Sequence, residues 1–117
     1  MNKVALRYVA KPAAIGVLVG GLVAAPAIMI AMLSGGAGHG DYAAARALFP
    51  VPMLLTLLQG DTIGVLSIGL ALLQFPIFGA LVGWCMAKEN YLPAIAIILT
   101  HVVAASVCFA GMLPNFS

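Results

Sequence analysis

Two polar side chains stand inside long apolar runs of this chain: Gln74 in Leu72-Leu73-Gln74-Phe75-Pro76, and His101 in Ile98-Leu99-Thr100-His101-Val102. In hydrocarbon such groups are costly, so they mark either a polar path or a hydrogen bond that holds helices together. Counted outward from Glu89, Gln74 lies 15 residues back and His101 12 forward. On antiparallel helices the two then differ by about 4.5 Å along the axis. The simplest expectation is that they bond to each other and pin a helical hairpin, since buried polar side chains usually find partners. The alternative is that they line a path for a small ligand.

Other chemistry is poorly supplied. The two histidines, His39 and His101, fall at a membrane boundary and about ten residues into an apolar run, too far apart to share an ion, and zinc needs three or four close ligands. Cys85 and Cys108 fall near opposite ends of neighbouring antiparallel helices, so a disulfide between them is not expected. There is no acid–base–nucleophile set, and Gly35 to Gly40 lacks the lysine and hydroxyl residue of a phosphate-binding loop. Neither catalysis nor a cofactor is expected. The densest polar group is His39, Asp41 and Arg46, a candidate contact for headgroups or a partner; Asp41 is also placed to cap a helix beginning near Tyr42.

The elements that position these residues follow from the composition. Of 117 residues, 64% are hydrophobic and 7% charged, with a mean hydropathy of +1.18. Soluble domains are about 45–50% apolar and about 25% charged, and disorder requires low hydrophobicity. The solvent that suits this sequence is lipid. The charges divide it into uncharged stretches 12–40, 47–60, 62–87 and 90–117. A crossing helix needs roughly 20 apolar residues, which the first, third and fourth stretches exceed. The second has 14 uncharged residues, about 21 Å of helix.

The expected fold is therefore an all-α integral membrane protein, a single domain over 1–117 with four transmembrane helices at about 12–33, 43–59, 62–87 and 91–113. In the alternative, three helices cross and 43–59, interrupted by Pro50 and Pro52, is re-entrant or interfacial. Apolar density favours four helices. Counting Lys and Arg favours three, with four charges on one side against one. Both readings put the N-terminus, with Lys3, Arg7 and Lys11, in the cytoplasm, and a bacterial inner membrane is the expected location. The apolar run after Lys11 is too long for a signal-peptide core of about 7–15 residues.

Small residues recur at four-residue spacing in Gly16, Gly20 and Ala24, and again in Gly79 and Gly83. Such faces let helix backbones approach closely in lipid. The partners implied are the bilayer and either a membrane protein or a second copy; a net charge of +2 gives no case for nucleic acid. Without a carboxylate inside a span to couple transport, the expectation is a non-catalytic accessory or structural subunit of a membrane complex. A small homo-oligomeric transporter or channel, with a polar path at Gln74 and His101, is the alternative.

Overall fold

The structure, a computed structural model, describes residues 2–36, 41–111 and 113. Among these the chain is all helical, with helices α1 (Lys3–Ser34), α2 (Ala43–Leu48), α3 (Pro50–Leu55), α4 (Val65–Lys88) and α5 (Leu92–Cys108), and a 3-10 turn at Thr56–Gln59. Two of them, α1 and α4, are long and apolar enough to cross a membrane. The molecule is elongated, 52 Å on its long axis and about 20 Å across.

Helix α1 begins nine residues before the expected start at Pro12, because the Asn2 side chain caps it, accepting from Ala5 N at 2.8 Å. Lys3, Arg7 and Lys11 thus ride on helix rather than precede it. Its far end stops at the glycine run, where Gly35 N–H donates back to Met32 O at 3.0 Å. Helix α4 ends on Glu89 in the left-handed region (φ 51°), whose N–H closes on the carbonyls of the last turn. Asn90 Oδ1 then accepts from Leu92 N at 3.2 Å to start α5. Helix α5 stops at Cys108, short of the expected 113, with Gly111 at φ 84° three residues on.

Helices α1 and α4 pack antiparallel along most of their length, with Pro12 opposite Gly83, Gly16 opposite Gly79 and Gly20 opposite Phe75. A Cβ at Gly20 would come 2.6 Å from the Phe75 carbonyl carbon and 2.8 Å from Pro76 Cα. At Gly16 and Gly79 the added carbon would run into the other glycine's carbonyl. Only glycine permits this approach, and in exchange the two backbones gain dispersion contact along the whole seam. Gly21 and Gly69, by contrast, face open space.

The expected helix over 43–59 is not present as one element. Phe49, at φ −130° and ψ 55°, interrupts it between α2 and α3. The physical cause lies in Pro50 and Pro52. Neither has an N–H to return to the carbonyl four residues earlier, and the residue before a proline is pushed out of the α region. Both ends of the segment lie at one end of the molecule. Tyr42 N–H donates to Ser34 O at the end of α1 (3.2 Å), and the Gln59 amide donates to Ser67 Oγ in the first turn of α4.

Candidate functional site

The interruption at Phe49 leaves carbonyls without helical donors. Phe49 N–H closes α2 on Ala45 O at 2.8 Å, and Met53 N–H opens α3 on Phe49 O at 3.0 Å. The Leu48 carbonyl would ordinarily receive the N–H of residue 52, which is proline. Gln74 supplies the donor instead: its Nε2 lies 2.7 Å from Leu48 O. His101 serves the preceding residue, with Nε2 2.8 Å from Ala47 O. A carbonyl only accepts, so Nε2 is the protonated ring nitrogen in this contact.

Gln74 and His101 therefore reach the same level of the molecule, from α4 and α5, but they do not bond to each other. Each holds one of two consecutive carbonyls at the C-terminus of α2. Gln74 is 6% exposed, so its amide has been removed almost completely from solvent. His101 is half-buried. A ladder of rings surrounds the pair: Phe49 meets Phe75 edge-on at 5.4 Å, Phe75 meets Phe78 at 6.1 Å, and Phe78 meets the His101 imidazole at 6.1 Å. Each such contact is worth about 0.5–1.5 kcal/mol beyond the area it buries. The last of them bears directly on the His101 imidazole.

Further bonds tie down the same segment. The Cys108 thiol donates to Pro50 O at 3.3 Å, and Thr56 Oγ1 donates to Met53 O at 2.6 Å. Arg46 Nη1 donates to Cys108 O at 3.4 Å, at the C-terminus of α5 where a cation is favoured, while Arg46 Nε is buried with no hydrogen-bond partner among the described residues. Cys85 and Cys108 are both free and fully buried.

Of the boundary group, His39 lies outside the described residues. Asp41 is exposed, and its Oδ1 accepts from Ala43 N at 2.9 Å in the first turn of α2. Arg46 points away from it toward α5, so the two do not form one cluster. The small residues Gly16, Gly20, Gly79 and Gly83 all lie in the α1–α4 seam, and Ala24 is buried on the same side of α1. Gly16 and Gly79 face each other within one chain, while Gly20 meets Phe75 and Gly83 meets Pro12.

Sequence reasoning missed the Ala47 and Leu48 carbonyls as the partners of Gln74 and His101. For Leu48 the signal was available: Pro52 orphans the carbonyl four residues upstream, and a lone amide on a neighbouring helix is a ready donor. Ala47, four residues before Val51, carried no such signal. Chemically the arrangement is a clamp on broken backbone. Among the described residues no group of three or more His, Cys, Asp or Glu could hold a metal ion. No protein-family model, no curated protein and no solved structure matches this chain.

Proposed function

We propose that this chain is an integral membrane protein with three crossing helices, α1, α4 and α5, and a re-entrant segment at 43–59, and that it serves as a non-catalytic structural subunit of a larger membrane assembly. The observation that carries the proposal is the engagement of Gln74 and His101 with the Leu48 and Ala47 carbonyls. Irregular backbone at membrane depth is tolerated only where protein satisfies it, and here the two polar side chains of the spans do that work.

Charge supports the same topology. Lys3, Arg7 and Lys11 at the start of α1 lie at the same end as Lys88, because α4 runs back along α1 and ends there. Arg46 alone lies at the other end. Four positive charges against one support a cytoplasmic N-terminus, and a bacterial inner membrane fits so compact a bundle. Helix α5, with 17 residues, reaches about 25 Å, and modest local thinning accommodates the difference. The outer faces of the long helices are apolar, Leu22 being 76% and Val65 85% exposed, and Gly21 and Gly69 leave room there for another helix to approach.

Gentle extraction from the native membrane, followed by native mass spectrometry, tests the subunit assignment. Unrelated chains in fixed stoichiometry are the expected result. A homo-oligomer free of other chains would overturn it in favour of a transporter or channel, to be followed by flux assays on Gln74→Ala and His101→Ala.

A further inference from the structure

The cations of α1 stand four residues apart, at Lys3, Arg7 and Lys11, so they fall within about 80° of one another on one face of the helix. That face lies about 160° from buried Val9 and the seam glycines Gly16 and Gly20, on the side turned away from α4. All three cations are exposed. Helix α1 contains no acidic residue, and no ion pair engages the three among the described residues.

The α1–α4 register gives this stripe its depth. Continued from the facing residues Pro12 and Gly83, it sets Lys11 level with Trp84 and Arg7 level with Lys88, the last residue of α4. Lys3 then projects about 6 Å past that end. Trp84 and Tyr91 are residues of the headgroup level, so the stripe straddles that level. Helical Cα–Cβ bonds tilt toward the N-terminus, which leans the Arg7 and Lys11 side chains out of the apolar layer. Of the three acidic residues of the chain, only Glu89 lies at this end. Deeper than Lys11 the same face continues as Ala14, Leu18 and Ala25, all exposed. A cationic stripe that runs straight into an apolar one matches a molecule with an anionic head and hydrocarbon chains.

We propose that this face of α1 binds anionic phospholipid, with the phosphodiester head at Lys3, Arg7 and Lys11 and an acyl chain along Ala14 and Leu18. The inference rests on the membrane reading above, which supplies bilayer to that face. Cations clustered where a span leaves the bilayer attract anionic lipid, and a planar guanidinium such as that of Arg7 takes a phosphate through two N–H groups. The apolar continuation selects lipid over free phosphate.

The test uses the full chain in phosphatidylcholine nanodiscs, where the direction of insertion plays no part. Trp84, the only tryptophan, is replaced by Phe, and a reporter is placed below the stripe as Ala14→Trp. The discs carry a small fraction of either phosphatidylglycerol or phosphatidylcholine brominated in its acyl chains, and bromine quenches the reporter. Brominated phosphatidylglycerol should quench more, corresponding to a preference of about three- to tenfold, the effect of three partly screened surface charges. Salt at about 1 M, where the screening length falls to about 3 Å, should erase the preference in the same chain. Lys3→Gln/Arg7→Gln/Lys11→Gln should also abolish it; glutamine is a good helix former, and an unchanged circular dichroism spectrum verifies that α1 is kept. Lys88→Gln, five residues past Gly83 and so on the α4 face turned away from α1, should retain most of it. The proposal is overturned by equal quenching from the two lipids, by a preference that survives the glutamine variant or high salt, or by one lost equally in Lys88→Gln. Exchanging chloride for phosphate at constant ionic strength should leave the quenching unchanged; its loss would assign the cations to free phosphate and overturn the lipid site. Failure of the chain to enter nanodiscs is a separate, visible outcome that would remove the membrane reading and this inference with it.

Discussion

Replacing Gln74 with Leu should destabilise the protein, and the size of the loss should depend on a proline 22 residues away. The Gln74 amide is 6% exposed and lies 2.7 Å from Leu48 O, a carbonyl with no backbone donor because residue 52 is proline. Orphaning a buried acceptor costs about 1–3 kcal/mol, while hydrogen bonds between membrane helices average about 0.6 and reach about 1.7 kcal/mol. The expected loss for Gln74→Leu is therefore about 1–2 kcal/mol, toward the upper end of the membrane range because Pro52 has no N–H to take its place. Pro52→Ala returns an N–H four residues after Leu48. In that background the same Gln74→Leu change should cost less than about 0.5 kcal/mol, giving a coupling of about 1 kcal/mol between sites on different helices. Reversible unfolding in mixed micelles of dodecyl maltoside and dodecyl sulfate, followed by far-ultraviolet circular dichroism, measures the four corners of the cycle. A Gln74→Leu penalty unchanged by Pro52→Ala would refute the carbonyl clamp, as would a single variant no less stable than the parent.

Two other outcomes follow from the same geometry. Gly16→Ala and Gly79→Ala place a carbon against backbone across the α1–α4 seam and should each cost about 1–3 kcal/mol in the same assay, whereas Gly21→Ala and Gly69→Ala, which meet nothing within 4 Å, should be neutral or stabilising by up to about 1 kcal/mol. Cys85 and Cys108, fully buried, should resist a maleimide in mild detergent and react fully once the protein is unfolded; rapid labelling of either in the native state would place it on the surface.

What was legible in the sequence depended on whether the signal was local. Apolar stretches bounded by charges locate long helices because hydrophobicity accumulates along a run, and glycines four apart locate faces capable of close approach. Neither says which faces meet. Gly16 and Gly79 oppose each other only because α4 returns antiparallel in one register, so faces open to either an internal or an external partner are used inside the chain. The interruption of segment 43–59 was visible in Pro50 and Pro52, but apolar density argued for a continuous helix. The pairing of Gln74 and His101 was an argument about depth, and depth brings both to the level of the broken segment. Their partners were not in the count, because a backbone carbonyl carries no residue type to read. Helix α1 began early because Asn2 caps it, and charges spread over roughly its first two to three turns were mistaken for a boundary.

The re-entrant path proposed for 43–59 is tested most directly by the side from which its two ends are reached. Single cysteines at Tyr42, Thr62 and Asn90, in a Cys85→Ala/Cys108→Ala background, are exposed to a membrane-impermeant maleimide added to right-side-out or inverted vesicles. Tyr42→Cys and Thr62→Cys should label from one and the same face, and Asn90→Cys from the opposite one. Labelling of positions 42 and 62 from opposite faces would mean that the segment crosses the membrane, and the three-span account would be wrong.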